Sequence, residues 1–428
     1  MAAKAAKKVS KSAPSAPKVS PWEGGLIHQV PGFKTVIMHC GLKSNAEKPD
    51  LAILRAEAPK GSSPVVAGVF TTNKVCAAPV RWSQAALKKS KGHAQAVVVN
   101  AGNANACTGE QGEKDAKSMA ELTADALGVK PEEIQVCSTG IIGHKLKMDK
   151  VSNGIGMLVE QLVEGKCDGD FARAIMTTDL VPKTAAVTVE LGGKSVNVAG
   201  ACKGSGMIAP RMATTLGFVA TDAVVAPKVL QQILTEVSDE TFNCVTVDGD
   251  TSTNDTLLAL ASGQAGNVPV SKTSGADYLA LKEALFQVCD SLAKQIAADG
   301  EGAQHTITLY VGGTKTDVQA KQIARAIAES PLVKTAIAGC DPNWGRIVAA
   351  AGRSGVTFDP AESSLTVCGF ELFRDGMPTV FEAAKVSAAL KNREVPIVFM
   401  AGSGPGRAKF YTCDLTHGYI EINADYHT

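Results

Sequence analysis

The feature that most limits the architecture is an alternation of short aliphatic runs, closed by turn residues, with longer stretches whose apolar residues recur at helical spacing. Leu281, Leu285, Val288, Leu292 and Ile296 follow the helical period, the run stops at Asp299-Gly300-Glu301-Gly302, and Ile307, Leu309 and Val311 then alternate. That order predicts a long helix, a turn and a strand. Val65 to Thr72, Ala94 to Asn100, Ile134 to Cys137 and Lys194 to Gly200 also read as strands. Between them, Met119, Leu122, Ala126 and Leu127 share one face of a predicted helix that Gly128 caps. Pro227 opens another, whose stripe is Val229, Leu230, Ile233, Leu234 and Val237. Repeated strand and helix units of this kind predict a layered α/β (α+β) structure, with helices packed on central sheets and a smaller C-terminal α/β lobe.

A chain of 428 residues with 41 glycines and few aromatics suits a large, tightly turned α/β enzyme. Its 43 basic residues balance 42 acidic ones, so no global field favours nucleic acid or an anionic membrane. Residues 1–20 hold five lysines and no acid, which leaves 38 basic against 42 acidic residues in the remainder. Residues 1–24 are expected to form a disordered basic tail, separable from the enzyme.

The eleven cysteines are scattered singly with no C-x-x-C, which argues against a disulfide framework or a thiolate zinc site and for a reducing compartment. Seven histidines form no H-E-x-x-H, so no metal site is expected. No apolar run is long enough to span a membrane, and no secretory signal opens the chain. The expected location is cytoplasmic; the alternative is the mitochondrial matrix or a plastid, with residues 1–20 as a targeting segment.

Lys203-Gly204-Ser205-Gly206 leads through Met207, Ile208, Ala209, Pro210, Arg211 and Met212 to an Ala213-Thr214 bond. Nothing in the local sequence activates a threonine in the ordinary way. Cleavage of that bond would free the α-amino group of Thr214, whose unperturbed pKa of about 7.7 to 8 suits it as general base toward its own hydroxyl. The nearby glycines tolerate the tight backbone that an N-to-O acyl shift requires.

Other segments are ambiguous when read alone. Ser138-Thr139-Gly140, at a strand end, offers a hydroxyl and a backbone N–H to an oxyanion, or is an ordinary turn. Glu301, between two glycines, reaches a ligand cation or is a solvated loop acid, and Lys203 pairs with a substrate carboxylate or lies on the surface. Val247 through Thr256 lacks the glycine and glutamate of a calcium loop and reads instead as a polar turn at or behind a site. Gly402-Ser403-Gly404-Pro405-Gly406-Arg407 is no dinucleotide fingerprint and reads as a loop.

Together these segments resemble the ornithine acetyltransferase family, the glutamate N-acetyltransferases of arginine biosynthesis, from about Gly25 to Thr428. The carriers are Asn100 through Asn105, Ser138 through Gly143, Met176-Thr177-Thr178-Asp179, Lys203 through Thr215, Val247 through Thr256, Asp299 through Gly302, Asp341 through Arg346, and Ile422 through Thr428. Arg211, Thr215 and Cys340 depart from the common pattern. The resemblance implies a self-processing fold with an N-terminal threonine nucleophile. Cleavage at Ala213-Thr214 would give an α chain (25–213 after the tail) and a β chain (214–428), assembled as an α2β2 heterotetramer.

It further implies that Thr214 is the nucleophile, that Thr139 and Gly140 form the oxyanion hole, and that Thr177 or Thr178, Lys203, Thr214, Glu301, Asn423 and Thr428 bind substrate, with Thr177 preferred of the adjacent pair. The implied reaction moves an acetyl group from N2-acetyl-L-ornithine to L-glutamate through an acetyl-Thr214 ester, with no metal or redox cofactor. Acetyl-CoA is implied as a second donor, making the enzyme bifunctional. The competing reading is a self-processing amidase or aminopeptidase, which releases the acyl group to water.

Overall fold

The computed structural model describes residues 18–167, 169–209 and 215–425. Three sheets organise them. The first has six strands in the order Val19–Pro21, Lys183–Leu191, Lys194–Lys203, Leu216–Thr221, Thr256–Ala261 and Val65–Phe70. The second orders Phe33–Met38, Leu51–Ala56, Ala96–Asn103 and Ile134–Ile141.

These two sheets face each other directly. One buried cluster joins Leu54, Val97, Val99 and Cys137 of the second sheet to Ala199, Ala201, Phe218 and Leu258 of the first. The opposite face of the first sheet, with Val198, Cys202, Val219 and Leu257, packs under the helices Pro227–Glu240 and Ala276–Ala298. The opposite face of the second, with Ile53, Val98 and Val136, packs under Gly109–Leu127 and Met148–Val163. Four layers result, helix, sheet, sheet and helix. The central strands are apolar on both sides because both of their faces are covered.

The third sheet runs Met377–Pro378, Phe370–Arg374, Ser364–Val367, Glu394–Met400, Thr306–Gly313 and Gly404–Cys413, and carries its own core as a C-terminal lobe. The layered α/β architecture expected from the alternation of elements is the one observed.

The helices expected from Val229 to Val237 and from Leu281 to Ile296 bury all of their predicted stripe residues, and Ile307, Leu309 and Val311 are buried in their strand. Several expectations need correction. In Gly109–Leu127 the inward face is Ala116, Met119, Ala120, Thr123 and Ala124, while Leu122 and Ala126 of the predicted stripe are exposed and Leu127 is half-buried. The buried stripe is thus built mostly from small residues and is turned from the predicted one round the helix. Its end at Gly128, with φ 67°, is as expected.

The strand expected over Ala94 to Asn100 runs from Ala96 to Asn103, past its predicted end. Its parallel pairing with the Ile134–Ile141 strand continues through Ala101–Thr139 and Gly102–Gly140, with a bulge at Gly102/Asn103. Gly404 to Arg407, expected as loop, opens the strand Gly404–Cys413 instead. The expected tail also ends early. Residues 1–17 lie outside the described residues, but Val19–Pro21 pairs with Lys183–Leu191, and the Trp22 N–H donates to the Ala186 carbonyl at 3.0 Å.

Candidate active site

Side-chain alternation carries the chemistry to one end of the sandwich. Ala199 and Ala201 face the inter-sheet core, so Lys203, two residues on, points the same way where the strand ends. Cys137 also faces that core, which directs Thr139 inward from the second sheet. Where the sheets part, a cavity of about 430 Å³ opens, lined by Thr139, Gly140, Thr177, Thr178, Lys203, Glu301 and Asn423, residues from five separate stretches of chain. Ala213, Thr214 and Thr428 lie outside the described residues. Their neighbours on both sides of 210–214 are described, and Ile208 and Thr215 line the cavity.

Both flanks of that segment are moored. The Asp248 carboxylate accepts the Met207 N–H at 2.6 Å and the Ile208 N–H at 2.8 Å, and Thr251 Oγ1 donates to the Ala209 carbonyl at 2.9 Å. On the far side the Thr256 N–H donates to the Thr215 carbonyl at 2.8 Å. The polar turn from Val247 to Thr256 therefore both supports the site and lines it, through Ser252, Thr253, Asn254 and Asp255. Asn254 Nδ2 donates to the carbonyls of Ala104 at 2.6 Å and Ser138 at 2.9 Å, tying this turn to the Thr139 strand.

Gly140 sits at the bulge with φ 131°, and a Cβ there would collide with the Gly102 backbone, so only glycine fits. The Thr139 hydroxyl makes no hydrogen bond to another described residue and faces the cavity. Glu301 is buried, its N–H donates to the Ser205 carbonyl at 2.9 Å, and its Oε2 accepts Asn423 Nδ2 at 2.8 Å. A Cβ on Gly206 would run into the Glu301 carboxylate, so this glycine makes the room that the acid occupies.

Lys203 is the only cation among the described lining residues. Burial lowers its pKa, opposed first by Asp179, while Lys183 adds to the lowering and Asp255 and Glu301 counter it. Asp179, also buried, is held down to about 2: burial pushes it up, but the Lys203 and Lys183 cations and its hydrogen bonds outweigh that. Asp255 is the reverse case. Burial drives its pKa well above the ordinary carboxylate value, and Oδ2 has no hydrogen-bond partner among the described residues.

Residue-type reasoning assigned no role to Asp179, Asp255 or Gly206, although all three lie within segments that carried the resemblance. Among the described residues no group of three or more histidine, cysteine, aspartate or glutamate side chains is arranged to hold a metal ion.

Residues 34–428 match the ArgJ family, over nearly the whole chain. The chain belongs to the ArgJ family. Within that family it is similar to the arginine biosynthesis bifunctional protein ArgJ of Thermosynechococcus vestitus, 44% identical over 94% of this chain and 98% of the relative. The ArgJ protein of Lactococcus lactis is 46% identical over 94% of this chain and 98% of its own. Among solved structures, ArgJ of Bacillus halodurans is 41% identical over 49% of this chain and 98% of that chain, with a TM-score of 0.48. Ornithine acetyltransferase of Mycobacterium tuberculosis, solved with ornithine, is 38% identical over 46% of this chain and 100% of that chain, with a TM-score of 0.40. Membership of the ArgJ family makes the protein an acetyltransferase, as the resemblance implied.

Proposed function

We propose that this protein transfers the acetyl group of N2-acetyl-L-ornithine to L-glutamate through an acetyl-Thr214 ester, after self-cleavage at Ala213-Thr214 into two chains that assemble as α2β2. The observation that carries this reading is the cavity itself. It sets one lysine, one buried glutamate and the Thr139-Gly140 strand end around a space bordered by both flanks of residues 210–214. Lys203 takes the α-carboxylate that donor and acceptor share. Glu301 takes the side-chain ammonium of the ornithine moiety, and Asn423, whose amide hydrogens go to Glu301 Oε2 at 2.8 Å and the Tyr419 carbonyl at 3.0 Å, holds that carboxylate in place.

In the first half-reaction the Thr214 hydroxyl adds to the acetyl carbonyl and its α-amine takes the proton. The Thr139 hydroxyl and the Gly140 N–H stabilise the oxyanion. The C–N bond then breaks, the proton passes to the departing ornithine amine, and the acetyl group remains on Thr214 Oγ1. In the second, the glutamate amine adds to the ester, the C–O bond breaks, and its surplus proton returns through the α-amine to the threonine oxygen. No residue in this sequence of steps requires a metal or redox cofactor. Acetyl-CoA enters the same scheme as a second acetyl donor to Thr214.

The test is an assay with acetylornithine in the presence and absence of glutamate. Acetylglutamate should form faster than free acetate; dominant hydrolysis would assign the chain to the amidase class instead.

A further inference from the structure

Beneath the cavity lies a buried ionic cluster to which the proposed reaction gives no part. Lys183 Nζ bridges two carboxylates, Asp179 Oδ1 at 2.7 Å and Asp299 Oδ2 at 2.6 Å. Each acid also fixes pieces of the pocket wall. Asp179 Oδ1 accepts the Gly204 N–H at 2.6 Å, next to Lys203, and its Oδ2 accepts the Thr177 N–H at 3.0 Å. Asp299 Oδ2 accepts the Leu180 N–H at 3.1 Å, and its backbone carbonyl accepts the Ser205 hydroxyl at 2.6 Å.

Two carboxylates share one ammonium, so the cluster carries a surplus negative charge, placed one residue from Lys203. Yet among the described residues no carboxylate comes close enough to Lys203 to form a salt bridge with it. Asp179 has committed its oxygens to Gly204, Thr177 and Lys183. It attracts the Lys203 ammonium without occupying its hydrogen-bond sites. Those sites stay open to an incoming carboxylate, which would otherwise have to displace a bonded protein acid.

The geometry points to Asp179 as a positioning residue for substrate selection: it is the counter-charge that holds the Lys203 ammonium for an α-carboxylate, while its bonds to Thr177 and Gly204 fix rim and floor around it. This inference rests on the acetyl-transfer reading for the identity of the carboxylate. The other charged groups acting on Lys203 are Lys183, Asp255 and Glu301, and Lys43 lies close enough to feel it. Asp255 is driven toward its neutral form by burial, and Glu301 is bonded to Asn423. Asp179 is the principal opposing charge that remains.

The experiment compares Asp179→Asn with Asp299→Asn, which removes a charge from the same cluster but from an acid that is not among the main charges acting on Lys203. The first readout needs no activity: the rate at which fluorodinitrobenzene modifies Lys203, followed by peptide mass spectrometry across a pH series. Asp179→Asn should lower the midpoint by about one pH unit, and Asp299→Asn should move it clearly less. The second readout is kinetic, with KM for acetylornithine rising about tenfold in Asp179→Asn and kcat changing less. An unmoved labelling midpoint in Asp179→Asn, or an equal shift in both variants, overturns the proposal. Should Asp179→Asn fail to fold, Asp179→Glu retains the charge and must keep the wild-type midpoint; a fall of the same size would contradict it. A labelling shift without any acetyl transfer by the wild-type enzyme would refute the proposed reaction while leaving the electrostatic role standing.

Discussion

Asn423 donates from Nδ2 to Glu301 Oε2 at 2.8 Å, joining the C-terminal helix His417–Asp425 to the Gly300–Gly302 turn across 122 residues of sequence. No side chain of that helix is buried. The contact therefore adds little to the core and much to the shape of the pocket's acidic end.

Asn423→Ala should accordingly leave thermal stability almost unchanged while raising KM for acetylornithine. Without that bond the Glu301 carboxylate is no longer held in place for the ornithine ammonium, and the loss in kcat/KM should be about tenfold. Steady-state kinetics beside a melting curve checks both parts.

Gly206→Ala should act on the same acid from the other side. The added methyl group takes space the Glu301 carboxylate now fills, so the carboxylate must leave its place beside Asn423. Activity should fall at least as far as in Asn423→Ala, and combining the two changes should cost less than the sum of their separate effects, because both act through Glu301. A double-mutant cycle measures this.

Thr139→Ala removes a proposed oxyanion donor whose hydroxyl bonds no other described residue, so the fold should tolerate it. Its cost should be about 3 kcal/mol in the barrier, or about a hundredfold in kcat, with KM nearly constant. Gly140→Ala should instead fail to fold normally, since its Cβ meets the Gly102 backbone. Expression yield and melting temperature separate the two.

Stability should respond to pH through two acids of opposite sign. Asp179, with its pKa depressed to about 2 from 3.8, contributes stability that is present above the ordinary carboxylate range and lost as pH falls toward 2. That contribution is about 2 kcal/mol. Asp255 is raised, so its native form holds a proton longer than the unfolded chain does, and stability falls as pH rises through its native value. Asp255→Asn should therefore flatten the profile above the ordinary carboxylate range and leave the acid limb due to Asp179 in place. Urea midpoints from pH 2 to 8 for both proteins provide the check.

Much of the scaffold could be read from periodicity. Val229 to Val237 and Leu281 to Ile296 are long aliphatic stripes on one helix face, and local spacing decides them. Leu122 misled because small alanines and Thr123, which weigh less than leucine in a stripe, packed beside Met119 instead. The strand past Ala101 was hidden because Asn and Gly favour turns, whereas its continuation depends on pairing with the distant Ile134–Ile141 strand. The site was harder. Lys203 and Glu301 each had a bland alternative until the resemblance set them side by side, and the cavity lining places them together. Asp179 had no local signal, and Asp255 only its place in the polar turn, because a buried charge is defined by the neighbours that tertiary structure brings to it.

The central claim is an acetyl group held on Thr214. Wild-type protein mixed with acetylornithine, without glutamate, and quenched in acid should yield a chain beginning at Thr214. Its N-terminal peptide should carry one added acetyl mass, which disappears when glutamate is supplied and never forms in Thr214→Ala. An uncut chain, or acetylglutamate produced while Thr214 stays unmodified, would contradict the account.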